Sequence, residues 1–250
     1  MQNDKNYLFI SGCDRSGTTA AVRLLNAHQD ICIGMERYKF LINEENSLKT
    51  LNKNRFSKEL FFNILDEETN IQWDYFYDPL KEKFDKSKFV GDKVPRYFQV
   101  YNHLKNEFPT AKHIFLVRDP LEVANSWKVR AADSKDVNWL SSNDVKKSVN
   151  VWNSSLKQAY KRFKEGHMDI IIISYTDLFS GDKQTLDSIL NFLSLEQDDN
   201  LSKVFYKMTD SWGERLKKPT TLTEEEIQYV SENANNALAK HALSLKIYDK

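Results

Sequence analysis

Tyr7–Leu25, "YLFISGCDRSGTTAAVRLL", falls into three parts of different chemistry. Tyr7 to Ile10 is a continuous apolar run that reads as a buried strand, Gly12 to Gly17 reads as a tight loop, and Thr18 onward reads as a helix. In that order the three parts make a cradle for an anion, because loop N–H groups and the positive end of the helix face the ligand. The loop that holds nucleoside triphosphates has the form G-x-x-x-x-G-K-[ST], and its lysine reaches the β- and γ-phosphates. Gly12 and Gly17 keep that spacing and Thr19 holds the hydroxyl position, but Thr18 stands where the lysine belongs. Arg15 sets a fixed positive charge inside the loop instead. The cradle suits an anion other than a triphosphate.

Chain length and charge narrow the surroundings of this loop. At 250 residues the chain can bury a substantial core, and its 40% hydrophobic and 29% charged residues are ordinary for a soluble globular protein. Thirty-six Lys plus Arg balance 36 Asp plus Glu, which argues against general binding to nucleic acid or to a membrane surface. No apolar run is long enough for a membrane span, and the opening "MQNDKNYLFISG" does not read as a signal peptide. The two cysteines, Cys13 and Cys32, show neither metal-ligand spacing nor a disulfide framework, so a reducing cytoplasm is the expected compartment.

Apolar runs at Tyr7–Ser11, Ile31–Ile33, Phe89–Gly91, Ile114–Val117 and Ile170–Ser174 predict strands, with helical patterns between them. "DIIIIS" is apolar throughout, as a strand covered on both faces should be. After Ser142, Val145, Val149, Trp152, Leu156 and Phe163 fall at helical spacing until Gly166. Alternating strands and helices predict an α/β fold with a central, mostly parallel sheet, in one domain spanning residues 1–250. The aromatic-rich stretch Glu44–Asp85 reads equally as a substrate-side insertion or as a covering helical layer.

In a parallel sheet, ligands bind beyond the carboxyl ends of the strands, and several polar clusters follow predicted strands directly. "HIFLVRDPLEVANSW" ends a strand at Arg118-Asp119-Pro120, opens a helix at the proline, and places Ser126 eight residues after Arg118. In "FVGDKVPRY", Lys93 leaves a short strand just before Pro95. In "ICIGMERYKF", Glu36 follows the second apolar run, so its carboxylate can point at the same crevice as Arg15. Taken singly, a capped helix start, a solvated lysine and a surface glutamate explain these three.

Together they resemble the sulfotransferases that use 3′-phosphoadenosine 5′-phosphosulfate (PAPS). In that family a modified loop R-S-G-T-T, here Arg15, Ser16, Gly17, Thr18 and Thr19, holds the 5′-phosphosulfate. A strand–Arg-x-Pro–helix motif with a serine eight residues after the arginine holds the 3′-phosphate, and it falls on Arg118, Pro120 and Ser126. "YTDLFSGDKQTLDSILNFLSL", beginning at Tyr175, is similar to the family's Tyr-x-Asp-Leu segment, and "GDKVPRY" to the lysine-proline turn of its glycan and protein-tyrosine branches. The likeness runs over roughly residues 7–195, and the part with Trp212, Arg215, Lys217 and Lys218 matches only loosely.

The resemblance implies a three-layer fold like that of the P-loop NTPases, PAPS as donor, 3′-phosphoadenosine 5′-phosphate (PAP) as product, and no metal. It implies in-line transfer of a sulfuryl group to a hydroxyl, less readily an amine, of a glycan, small molecule, lipid or tyrosine. Glu36 would take the acceptor's proton, with Arg15, at the end of the neighbouring strand, keeping it ionised. Lys93 and Arg15 would stabilise charge on the leaving phosphate. His28, His103 and His113 are alternative bases. The donor has no β,γ-phosphate pair for a loop lysine to bridge, which accounts for Thr18. The competing readings are a small-molecule P-loop kinase, with Asp119 on Mg²⁺, and a nucleotide-binding protein without catalysis. Neither the acceptor nor the oligomeric state is written in a motif.

Overall fold

The computed structural model describes residues 5–70, 74–136, 139–166, 169–211 and 219–245. The five apolar runs form five strands, β1 (Asn6–Gly12), β2 (Ile31–Met35), β3 (Phe89–Lys93), β4 (Lys112–Val117) and β5 (Asp169–Ser174). All five begin or end beyond the predicted run, at Asn6, Met35, Lys93, Lys112 and Asp169, because the ladder pairing continues past it. All pairings are parallel, in the order β2-β3-β1-β4-β5.

Helices cover both faces, which is why the strands are apolar at successive positions. Leu8 and Ile10 of β1 and Ile171 and Ile173 of β5 face one layer, with Val22 and Leu25 of the helix Thr18–Leu25 and Ile189 and Leu190 of the helix Lys183–Leu193. Phe9, Phe115 and Ile172 face the other, with Trp127 of the helix Pro120–Ala131 and Trp152 and Leu156 of the helix Val145–Glu165. The core is therefore three-layered, helix on sheet on helix.

The described aromatics of the 44–85 stretch mostly belong to this second layer. Phe56, Phe61, Tyr77 and Phe84 are buried, and the Phe56 ring meets the rings of Phe9 and Phe108 edge-on. Tyr75 stays exposed. None of the four buried rings is free to stack on an acceptor. Among the described residues, no helix is long and apolar enough to cross a membrane.

Strand order fixes where ligands can enter. From the carboxyl end of β1 the chain travels to β2 at one edge, and from the adjacent β4 it travels to β5 at the other. Connections that part in opposite directions leave a crevice between the two strand ends. The loops carrying Arg15 and Arg118 leave those two ends.

Candidate active site

An open cleft of about 1580 Å³ lies over the carboxyl ends of the strands, and Arg15, Gly17, Thr18, Thr19, Glu36, Arg118, Ser126 and Tyr175 all line it. At the β1 side, Gly17 has φ +84° and caps the helix Thr18–Leu25 with no side-chain hydrogen bond. The first N–H groups of that helix are left to a ligand. A Cβ at Gly17 would lie 2.1 Å from the Tyr175 ring, so only glycine lets this ring seal the loop. The Arg118 guanidinium covers the same ring at 4.8 Å and donates to the carbonyl of Arg15 at 3.1 Å. Arg15 Nε donates to Ser126 Oγ at 2.9 Å. Desolvation, and then the nearby Arg130 and Arg118 guanidiniums, lower the Arg15 pKa. Carboxylates share the cluster: Arg118 Nε pairs with Glu122 at 2.6 Å and Arg130 pairs with Asp136.

Two indoles hold the paired arginine loops. Trp127 Nε1 donates to the Asp14 carbonyl at 2.9 Å, and Trp152 Nε1 donates to the Arg118 carbonyl at 2.9 Å. Both rings are buried, so each helix fixes one loop by its hydrophobic face. Asp119 caps its helix, accepting from the N–H groups of Leu121 and Glu122 at 2.8 and 3.1 Å. Its carboxylate serves the backbone where the kinase reading needs it on Mg²⁺.

At the other end of the cleft β3 lies between β2 and β1, and Lys93 is in register with both Met35 and Ile10. Its Nζ reaches Glu36 Oε1 at 2.8 Å and Thr19 Oγ1 at 3.2 Å. Lys39 approaches the second Glu36 oxygen at 3.3 Å. Burial pushes the Glu36 carboxyl up, but Lys93, with Lys39 behind it, outweighs burial and holds it below the ordinary carboxylate range. The expected ionised state follows from a different neighbour than Arg15. β3 intervenes between β1 and β2, and Arg15 turns instead to Ser126.

Backbone strain is concentrated here as well. Among the described residues, non-glycine positive φ occurs at Arg15 (+75°), Glu36 (+54°) and Ser194 (+54°). Ser194 ends a helix, where that conformation is common. The other two are the arginine and the glutamate singled out in the sequence, and strain of this kind collects at functional sites.

A sequence profile of the sulfotransferase family matches residues 8–199. The chain belongs to the sulfotransferase family. It is 23% identical over 201 residues to protein-tyrosine sulfotransferase A of Caenorhabditis elegans, covering 78% of this chain and 51% of that one. It is 23% identical over 235 residues to protein-tyrosine sulfotransferase 1 of Danio rerio, covering 92% and 65%. The chain thus spans only part of the length of these relatives. Among solved structures, the sulfotransferase domain from the curacin biosynthetic pathway superposes with a TM-score of 0.56 at 19% identity, over 93% of this chain and 98% of that one. Mouse sulfotransferase SULT7A1 complexed with PAP gives 0.56 at 13% identity, over 97% and 91%. The sulfotransferase fold and the P-loop-like sheet expected from the sequence are both present.

The three histidines named as alternative bases lie away from the cleft. His28 precedes β2, at the opposite end of that strand from Glu36, with Nε2 at 2.7 Å from the Glu196 carbonyl. His103 is bonded to the Leu51 carbonyl. His113 is buried against Phe9, and burial pulls its pKa down to about 3. None of the three lines the cleft. Trp212, Arg215, Lys217 and Lys218 lie outside the described residues. Sequence reasoning missed Asp92, Trp127 and Lys39. Of these only Lys39 had a visible signal, a lysine three residues after the glutamate.

Proposed function

We propose that this chain transfers the sulfuryl group of PAPS to an acceptor hydroxyl and releases PAP. The observation that carries the reading is the junction at Lys93, whose one ammonium touches both a carboxylate held ionised and the hydroxyl of the anion loop. The donor supplies an activated sulfuryl group on a phosphate leaving group. Residues Arg15 to Thr19, with the uncapped helix start, suit its 5′ end. Arg118 and Ser126, with the Tyr175 ring beneath the guanidinium, suit the 3′-phosphate. Glu36 accepts the proton of the attacking hydroxyl, and Lys93 and Arg15 stabilise charge that develops on the leaving oxygen. Catalysis is then mainly positioning and electrostatics, as in phosphoryl transfer. The tyrosine sulfotransferases among its relatives make a phenolic hydroxyl the first acceptor to try, before glycans and small molecules. Cys13 and Cys32 are free and buried, which suits the reducing cytoplasm expected from the sequence.

Calorimetry and an acceptor screen with labelled PAPS test this together. A charge-assisted bond to the 3′-phosphate is worth about 1.5–3 kcal/mol, or roughly 10–150-fold in affinity. PAP should bind tighter than AMP or ATP by a factor in that range, and Arg118→Ala should remove most of the gap. Equal affinity for AMP and PAP, with no label transferred to any acceptor, would overturn the reading.

A further inference from the structure

Beside the Glu36–Lys93 pair lies a carboxylate with no ion-pair partner among the described residues. Asp92 is 0% exposed in β3, one residue before Lys93. Its Oδ1 accepts from the backbone N–H of Lys93 at 2.8 Å and of Arg37 at 2.9 Å. Its Oδ2 accepts from the backbone N–H of Tyr38 at 3.0 Å and the Tyr97 hydroxyl at 2.9 Å. Burial pushes the Asp92 pKa up, and the Arg37, Tyr38 and Tyr97 donors, with the Lys93 charge, work against that rise. Gly34 of β2 is opposite Asp92 in register, and a Cβ there would come within 2.9 Å of Oδ1. The glycine keeps β2 open for the carboxylate to reach across.

Those donors define what the carboxylate holds. Glu36 N–H donates to the Lys93 carbonyl at 2.8 Å, and the next two N–H groups of the turn go to Asp92. Three consecutive amides that leave β2 are therefore pinned to the last two residues of β3. Glu36 sits at positive φ at the start of this grip, a conformation that persists only where the surroundings impose it.

We propose that Asp92 is a positioning residue, whose carboxylate holds the turn that carries Glu36 against the strand end that carries Lys93. The proposal rests on the roles given above to Glu36 and Lys93, and it extends them to a group that touches neither substrate. An amide at position 92 keeps the shape but presents an NH₂ group to two of the four donors. The turn must then shift, and Glu36 with it.

The test uses Asp92→Asn in the full chain, with two readouts. Titration of the Glu36 carboxyl by ¹³C NMR reads the pair directly, without turnover, and its low value should rise toward the ordinary carboxylate value in the variant. Turnover should fall by about 10–100-fold, the scale of a misplaced catalytic group, while PAP affinity stays within about 3-fold. If Asp92 acts through Glu36, its effect on kcat should largely vanish in a Glu36→Gln background. An unchanged Glu36 titration overturns the proposal, as do additive effects of the two substitutions on kcat. A shifted titration with unchanged kcat leaves the positioning role standing and overturns Glu36 as the base. Should Asp92→Asn fail to fold, Tyr97→Phe removes one donor only. It should move the same two readouts in the same directions by less, and the absence of any movement would count against the proposal.

Discussion

Glu36 keeps its charge at a place where burial alone would remove it. Only its two lysine neighbours reverse that tendency. Under the proposed role of Glu36 as base, a carboxylate that stays ionised into the acid range sets a characteristic pH profile. Its folded pKa lies below the ordinary value of about 4.3. The charged form is therefore present above that value and lost only as pH falls through the depressed one. Turnover limited by this group should hold level from neutrality down to the ordinary carboxylate range and fall only below it, as long as the fold survives. Glu36→Gln should lower kcat by about 10²–10⁴-fold and leave PAP affinity unchanged, because positioned general-base catalysis contributes on that scale. Steady-state kinetics with the best acceptor checks both, and near-wild-type turnover in the variant would place the base elsewhere. The histidines offer no substitute among the described residues, since none of His28, His103 and His113 lines the cleft. The ionised state of Glu36 was foreseeable from its need for a nearby cation, but which cation was not. The choice of Lys93 over Arg15 depends on β3 entering the sheet between β1 and β2, and no local pattern encodes that order.

At the scale of elements, two of the strand-end loops are tied down by helices that come later in the chain. Trp127 comes from the helix after β4 yet holds the loop after β1. Trp152 comes from the helix before β5 yet holds the loop after β4. Trp127→Phe keeps most of the buried ring and leaves the Asp14 carbonyl without its indole donor. The expected cost is about 0.5–1.5 kcal/mol of stability, accompanied by weaker PAP binding because the loop that carries Arg15 is freed. Denaturant titration and calorimetry separate the two effects. A loss of stability with PAP affinity intact would show that the indole supports the fold and not the loop. The elements themselves were legible because continuous apolar runs and the glycine and proline punctuation mark strands and helix starts independently of one another. The indole contacts were not. A tryptophan in the buried stripe of a helix reads as core, and its N–H partner depends on how the layers dock.

For the whole molecule, the 44–85 stretch is joined to the site by a buried ionic knot. Arg37, the residue after Glu36, donates to Glu68, to the Phe61 carbonyl at 2.9 Å, and to the carbonyls of Leu60 and Asn63 at 3.0 and 2.7 Å. Arg55 binds the other Glu68 oxygen. Glu68→Ala leaves Arg37 buried without its countercharge, a change that costs about 3–5 kcal/mol. In a chain of this size that corresponds to a fall in Tm of roughly 6–20 °C, which calorimetry can follow. A fall of less than about 2 °C would show that water reaches Arg37 readily. In the sequence these charges pass for surface residues, and the buried aromatics around them for a possible acceptor platform, because burial is settled only when distant segments pack. One contact made across such a distance has a wider bearing. Lys93 Nζ meets Thr19 Oγ1 from 74 positions along the chain. The ammonium that a triphosphate loop carries inside its own motif thus arrives here from a separate strand, and the cradle is a composite that no contiguous segment contains. Transplanting Gly12–Leu25 onto another parallel sheet would move the curve of the loop and Arg15 without the Lys93 ammonium. Nor would Thr18→Lys convert this chain to ATP chemistry. It would add a second ammonium one residue from the Thr19–Lys93 contact, and the expected outcome in calorimetry is weaker PAP binding with no gain for ATP.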